Sequence, residues 1–141
     1  MPVFFDTNVL LYAARPAMLP GEEGKRDIAI DLIAGEDFAI SGQVMAEFYH
    51  NAVRKGVQRL SHDQALAWLD RLSEQPSLAV DAGVVKAGAA IAERYRISYW
   101  DGAMIAAAHE LGATIFYSED LNDGQTYGAV KVVNPFKSVM H

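Results

Sequence analysis

The chain has 141 residues, 51% of them hydrophobic, and carries a formal net charge of −6. This size and apolar content predict one domain over residues 1–141 with its own core. The absence of cysteine excludes disulfides, thiolate zinc sites and cysteine nucleophiles. A basic leader is not evident at the start, and charged residues interrupt every apolar run before it reaches membrane-spanning length, so we expect a soluble, cytoplasmic protein.

The apolar spacing alternates between strand-like and helix-like segments, which is the pattern of an α/β fold. In chain order, we predict a strand near 2–5, a helix near 8–14, a loop over 16–24, a helix near 25–35 and a strand near 37–40. A helix over about 42–55, capped by Ser41, is followed by a helix from 61 that breaks at 75–77 and by an extended piece at 78–80. Helices near 82–94 and 99–111, the second ended by Gly112, precede strands near 113–117 and 130–133. The inner side of the helix from 61 is predicted to carry Ala65, Leu66, Trp68, Leu69 and Leu72.

Asp6 stands where the first apolar strand stops, and Thr7 and Asn8 follow it. Asp, Thr and Asn terminate strands and cap helices, so Asp6 can be explained as the cap of the next helix. In open α/β sheets, however, the ligand crevice lies just outside the carboxyl ends of the strands, where a carboxylate can bind a metal or take part in chemistry. The local sequence favours neither explanation.

Glu47 and Asp101 are two further candidates. Glu47 lies nearly two turns into the helix after the second strand, between apolar Val44 and Phe48, which is unusual for a solvated helix face. Asp101 precedes an alanine-rich helix, and Ser98 three residues earlier forms a capping-box pattern that would explain it structurally.

Asp120 directly follows the fourth predicted strand, as Asp6 follows the first, although an acidic turn would explain it equally simply. If the strands are parallel, their carboxyl ends share one edge of the sheet. Asp6, Asp101 and Asp120 would then converge there, with Glu47 arriving from a neighbouring helix. One shared crevice explains all four positions, whereas the structural explanations need a separate cause for each.

Carboxylates gathered without a balancing cation repel one another, and a hard divalent cation removes that repulsion. Oxygen ligands favour Mg²⁺ or Mn²⁺, while the lack of cysteine and of histidine pairs at ligand spacing argues against zinc. The four histidines are scattered, at His50, His62, His109 and His141. Such a site activates water and stabilises a leaving oxygen, so it predicts phosphodiester hydrolysis.

The order Asp6-Thr7-Asn8, Glu47, Asp101 and Ser118-Glu119-Asp120 resembles the PIN domain, in particular the VapC-like toxin ribonucleases of bacterial toxin–antitoxin pairs. The resemblance spans nearly the whole chain. It implies a three-layer fold with a central twisted parallel sheet flanked by helices. It also implies a metal-dependent endoribonuclease that acts on an RNA substrate, forms a homodimer and binds a cognate antitoxin protein.

The resemblance implies a Mg²⁺ or Mn²⁺ site with Asp6 and Asp101 as central ligands and with Glu47 and Asp120 completing the acidic pocket. Asp123 would act directly or through water. Thr7, Asn8 and Ser118 match supporting polar positions. The chain departs from the commoner pattern in two places: many relatives have threonine at the position of Ser118 and a phenylalanine shortly after the last motif, where this chain has residues 121–124.

Three other functions are compatible with the acids. A receiver-type phospho-accepting signalling module also gathers acids around Mg²⁺, but it needs two adjacent acids after the first strand and a lysine after a late one. Here Phe5 precedes Asp6, and Lys131 lies within its strand. A noncatalytic interaction domain would use the acids only as caps. DNA cleavage by the same site is a subsidiary alternative, because nothing in the sequence reports on a 2′-hydroxyl contact.

The net charge argues at face value against a polyanionic partner, because Lys and Arg make phosphate contacts. If four acids are committed to a metal, however, the remainder is near neutral and local charge matters more. The densest basic stretch holds Arg54, Lys55 and Arg59, with His50 upstream. A solvated helix end is the simpler explanation for it.

Overall fold

The computed structural model describes residues 2–139, so His141 lies outside the described part. The strands are β1 (Val3–Phe5), β2 (Phe38–Ser41), β3 (Ser77–Leu78), β4 (Ile115–Tyr117), β5 (Thr126–Tyr127) and β6 (Val130–Val133). They form one sheet in the order β3-β2-β1-β4-β6-β5. All neighbouring pairs are parallel except β5 with β6. The predicted α/β fold with a central, mostly parallel sheet is confirmed.

Helices flank this sheet. They are α1 (Thr7–Ala14), α2 (Lys25–Gly35), α3 (Gly42–Ala52), α4 (His62–Leu72), α5 (Ala82–Tyr95) and α6 (Tyr99–Glu110), followed by a 3-10 turn at Lys137–Val139. In one group, α1 packs against α2 and α3, and α3 packs against α4; in the other, α5 packs against α6. No helix within residues 2–139 combines the length and apolarity needed to cross a membrane.

The middle of the sheet explains why β1 is apolar throughout. Phe4 pairs in register with Phe116 of β4, which pairs with Val132 of β6, and all three side chains are fully buried. The Phe4 and Phe116 rings meet edge to face with centroids 5.6 Å apart. Because β1 and β4 are neighbouring parallel strands, the residues that follow them emerge side by side at one edge of the sheet.

Two predicted helix boundaries are confirmed by their chemistry. The Ser41 hydroxyl accepts a hydrogen bond from the Val44 N–H at the start of α3. Gly112 follows the end of α6 with φ of +77°, a left-handed conformation that glycine adopts without steric cost.

Several details differ from the sequence prediction. The helix predicted over 42–55 ends at Ala52, and the extended piece predicted at 78–80 is the strand Ser77–Leu78 beside β2. β5 was not predicted, because two residues are too short to show apolar alternation. Its Tyr127 is buried against the Tyr95 ring. Leu66, predicted to face inwards, is 42% exposed, since Ala65 and Leu72 are the buried residues of α4.

α5 and α6 approach each other unusually closely at Gly88 and Gly102. A Cβ added to Gly102 would stand 2.5 Å from the Gly88 carbonyl oxygen, and one added to Gly88 would stand 2.8 Å from the Ala103 Cα. Only glycine permits such contact between helix backbones. Gly102 directly follows Asp101, so this contact fixes the end of α6 that carries a candidate site residue.

Replacing Gly102 by alanine should lower the free energy of unfolding by about 2 kcal/mol or more, because the added Cβ must push the two helix backbones apart. The midpoint of urea unfolding measures this change when its slope is constant. Gly35→Ala is the matched control, since nothing lies within 4 Å of a Cβ at Gly35. That control should leave the midpoint unchanged or slightly higher, and a Gly102→Ala protein as stable as wild type would contradict the argument.

Candidate active site

Asp6 occupies the N-cap position of α1, but its carboxylate does not cap the helix. Its backbone N–H donates to the Tyr117 carbonyl (3.0 Å), which continues the pairing of β1 with β4. The Asp6 Oδ2 instead accepts a hydrogen bond from the Ser118 hydroxyl (2.7 Å). Asp6 is only 4% exposed. The capping explanation therefore accounts for the position of Asp6 but not for the orientation of its side chain.

Ser118 connects Asp6 to Asp120. The fully buried Ser118 hydroxyl donates to Asp6 and accepts from the Asp120 backbone N–H (3.2 Å). Asn8 Nδ2 donates to Asp120 Oδ2 (3.4 Å). One hydroxyl thus links the Asp6 carboxylate to the backbone of Asp120, and the Asn8 amide holds the Asp120 carboxylate.

Glu47 has both carboxylate oxygens held by side chains. Thr7 Oγ1 donates to Oε1 (3.2 Å), and Gln43 Nε2 donates to Oε2 (2.7 Å). The same Gln43 nitrogen also reaches the Trp100 carbonyl (3.1 Å), next to Asp101. Sequence reasoning missed Gln43, although its place one helical turn before Glu47 was a signal that could have identified it.

Asp101 begins α6 without completing a capping box. Its N–H donates to the Ser98 hydroxyl (3.1 Å), as in any N-cap. In α4, the reciprocal bond from Gln64 to Ser61 N–H completes a capping box, whereas the described part of the chain shows no such bond from Asp101 to Ser98. The Asp101 carboxylate is therefore not used by the cap.

Asp120, Asp101 and Glu47 lie close enough to Asp6 to raise its pKa. Burial raises the pKa of Asp6 to about 7; the Ser118 hydrogen bond opposes this, while Asp120, Asp101 and Glu47 raise it further. Burial, Glu119 and Asp101 likewise raise the pKa of Asp120. Asp6, Glu47, Asp101 and Asp120 form what we call the acid cluster.

The acid cluster has the chemistry of a hard-cation site. It offers only carboxylate oxygens and has a buried member whose charged form is disfavoured, a situation that a divalent cation would reverse. Within residues 2–139, no three acidic or histidine side chains are already arranged as a set of metal ligands. Binding would therefore require side-chain adjustments, which the exposed Asp120 and half-buried Asp101 can make.

Asp123 faces elsewhere. Its Oδ1 accepts from the Asn134 N–H (2.7 Å), and its Oδ2 pairs with Lys137 (2.9 Å). The Asn134 N–H, followed by Lys137, holds the pKa of Asp123 below its ordinary value. The structure thus joins Asp123 to the C-terminal segment and not to the acid cluster.

A largely buried ion pair that involves Glu119, the neighbour of Asp120, was not predicted from the sequence. Lys25 Nζ contacts Glu119 Oε2 (2.8 Å), and the two side chains are 13% and 12% exposed. The Tyr12 hydroxyl donates to the other Glu119 oxygen, and burial followed by Glu119 raises the pKa of Tyr12. Lys25 also stands over the Tyr12 and Phe136 rings. Because the partners lie 94 residues apart, no local pattern reveals this contact.

Asp6→Asn should stabilise the metal-free protein at pH 8 by up to about 4 kcal/mol. The folded-state pKa of Asp6, about 7, exceeds its ordinary value of 3.8, so the folded protein binds the extra proton between these values. Wild-type stability should therefore fall as pH rises through this window. Asparagine is neutral and still accepts from Ser118.

Urea unfolding with EDTA at pH 5 and pH 8 tests this prediction. The gap between Asp6→Asn and wild type should widen towards pH 8. The control is Asp70→Asn, which removes the same charge from an exposed position on α4. An Asp6→Asn protein that is less stable at both pH values would instead support the capping explanation.

Lys25→Met should lower the free energy of unfolding by about 3 kcal/mol, because it leaves Glu119 charged and unpaired in a buried place. Lys137→Met removes the ammonium of a more exposed pair with Asp123, in which the side chains are 69% and 32% exposed. That control should cost less than about 1 kcal/mol. Equal losses in the two variants, measured by urea unfolding, would contradict the importance of the buried pair.

Comparisons with known proteins agree with this fold. VapC20 of Mycobacterium tuberculosis, a sarcin-ricin loop cleaving toxin, is similar at 21% identity with a TM-score of 0.66, over 84% of this chain and 89% of that one. A toxin–antitoxin complex from Klebsiella pneumoniae is similar at 18% identity and a TM-score of 0.66, over 94% and 97%. VapBC2 of Rickettsia felis, bound to a promoter DNA fragment, is similar at 16% identity and 0.61, over 94% and 97%.

At these identities the structures show a shared fold, and no curated protein matches the chain in sequence. The family is shown by sequence. The model of the PIN domain matches residues 3–123, which include all four acids of the acid cluster. The chain therefore belongs to the PIN domain family.

Proposed function

We propose that this PIN domain is a metal-dependent endoribonuclease that hydrolyses RNA phosphodiester bonds. The observation that carries the proposal is the buried Asp6 carboxylate, which is surrounded by three other acids and held by Ser118. Mg²⁺ or Mn²⁺, once bound, would supply an activated water and stabilise charge on the leaving oxygen. No side chain of the chain has to act as a nucleophile.

Each residue of the site then has a defined part. Asp6 and Asp101 would hold the ion, with Asp120 and Glu47 completing the pocket. Ser118 orients Asp6 and the backbone of Asp120 with one hydroxyl. The remaining polar residues hold the acids in place, because Asn8 donates to Asp120, and Thr7 and Gln43 donate to Glu47. Asp123 would contribute only from outside this pocket, because Asn134 and Lys137 engage both of its oxygens.

We also propose that the protein is the toxin of a toxin–antitoxin pair, acting in the cytoplasm as a homodimer controlled by a cognate antitoxin. Support comes from the similarity to VapC20 and to the toxin–antitoxin complexes of Klebsiella pneumoniae and Rickettsia felis. No observation favours a receiver-type module, since Lys131 lies exposed within β6 and Phe5 precedes Asp6.

The purified protein should cut RNA with Mg²⁺ or Mn²⁺ and lose this activity with EDTA. Asp6→Asn and Asp101→Asn should each lower the rate by more than about 100-fold, because each removes a charged ligand while keeping its shape. Mn²⁺ should also raise the melting temperature of wild type more than that of either variant.

Asp70→Asn is the matched control, because it removes the same charge from an exposed position on α4. Unchanged rates in Asp6→Asn and Asp101→Asn would refute this mechanism. If the wild-type protein cleaves DNA faster than RNA, the proposed metal-dependent hydrolysis would stand, but DNA and not RNA would be the substrate.

A further inference from the structure

A basic pocket lies beside the acid cluster in a protein that is acidic overall. It has a volume of ≈ 270 Å³, and its cations are Arg15, Arg54 and Lys55. Arg15 follows the end of α1, and the other two lie in the turn after α3. Within residues 2–139 the ion pairs are Lys25 with Glu119 and Lys137 with Asp123, so these three cations have no carboxylate partner there. They are available to an external anion.

Asn51 joins this basic pocket to Glu47. Its side-chain nitrogen donates to the Glu47 backbone carbonyl (2.8 Å), and its side-chain oxygen accepts from Arg54 Nη1 (3.1 Å). Glu47 and Asn51 are one turn apart on α3, about 6 Å along the helix axis. The acid cluster and the basic pocket are therefore adjacent parts of one surface.

A larger groove of ≈ 600 Å³ completes this surface. Glu47 and Asn51 both line it, as do Tyr99 and Trp100, and Trp100 is 61% exposed. Gln43 donates both to the Glu47 carboxylate and to the Trp100 carbonyl, so the backbone that carries this ring is fixed relative to the acid cluster. An exposed tryptophan beside a polar site offers a flat face to a planar apolar group.

We propose that a single-stranded segment of RNA binds across this surface, with its phosphates on Arg15, Arg54 and Lys55 and an unpaired base stacked on Trp100. A cationic groove combined with an exposed aromatic ring is the chemistry that binds single strands, because a base can stack on a side chain only when it is free of its helix. The proposal rests on the ribonuclease function proposed above and identifies the strand that reaches the acid cluster.

Binding is measured by fluorescence polarisation with a labelled single-stranded RNA oligonucleotide, in the Asp6→Asn background so that the probe stays intact. Replacing Arg15, Arg54 and Lys55 by alanine should weaken binding at least tenfold at low salt. It should also reduce the slope of log affinity against log salt by about 2, since each lost phosphate contact removes about 0.7. The double variant Arg54→Ala, Lys55→Ala changes only exposed side chains and should reduce the slope by about 1.4.

The charge-matched control replaces Lys86, Arg94 and Lys131, which are exposed and do not line the basic pocket. It removes the same total charge and should leave both the affinity and the salt slope unchanged. If the basic-pocket variants bind RNA like this control, the proposal is wrong. Equal affinity for a duplex RNA of the same sequence would overturn the assignment to single strands.

Trp100→Ala should weaken RNA binding at least about fivefold, while Trp100→Phe, which keeps a stacking face, should retain most of the affinity. Light scattering of the same variants tests the rival occupant of the groove, a second copy of this chain. A Trp100→Ala protein that loses self-association but binds RNA unchanged would refute the stacking contact.

Hydrolysis of bis(p-nitrophenyl) phosphate with Mn²⁺ separates this proposal from the proposed function. This small diester is too short to reach the basic pocket, so the triple variant should cleave it at the wild-type rate while its KM for RNA rises. A wild-type protein that cleaves neither substrate would refute the ribonuclease function. In that case, loss of RNA binding in the triple variant would still support the proposed RNA-binding surface. If the wild-type protein does cleave RNA, an unchanged KM for RNA in the triple variant would contradict that surface.

Discussion

The hydroxyl of Ser118 makes the interaction on which the rest of the site depends. It lies at the carboxyl end of β4, beside the end of β1, and bonds both the Asp6 carboxylate and the Asp120 backbone. This arrangement exists because β1 and β4 are neighbouring parallel strands in the middle of the sheet. A hydroxyl suits this place because it can donate and accept at the same time. The departure from threonine at Ser118 therefore keeps the group that performs this role.

The acid cluster is electrostatically unfavourable by itself, and the surrounding structure limits that cost without removing it. Ser118 stabilises the charged form of Asp6, yet burial and the neighbouring acids still raise the pKa of Asp6 to about 7. Lys25, which pairs with Glu119, lowers the pKa of Asp120 only as a minor opposing influence. Within residues 2–139 no Lys or Arg forms an ion pair with the acid cluster, so the divalent cation that we propose would supply the balancing charge.

Helix packing sets the two sides of the site. The glycine contact between α5 and α6 fixes the helix that carries Asp101 in its first turn, and α3 carries Glu47 towards the ends of the strands. The same face of α3 continues through Asn51 towards Arg54. One helix thus contributes both to the acid cluster and to the proposed path of the RNA. The sequence alone explained the basic stretch as a solvated helix end. In the structure, Arg54 and Lys55 of that stretch line one pocket together with Arg15, which follows α1.

Local apolar spacing and short motifs were sufficient to predict the alternation of strands and helices, the caps at Ser41 and Gly112, and the family. The sequence also suggested the four acids as site residues, Asp6 and Asp120 because they follow strands, and Glu47 and Asp101 from their positions on helices. Their role as site residues stays a prediction. The packed structure was needed to establish that Asp6 bonds Ser118 and does not cap α1, that Asp123 contacts Asn134 and Lys137, and that Lys25 pairs with Glu119. The two-residue β5 and the outward-facing Leu66 were also decided there. The physical reason is that side-chain orientation and partner choice depend on residues many positions away, which are brought together only when the sheet and its helices pack.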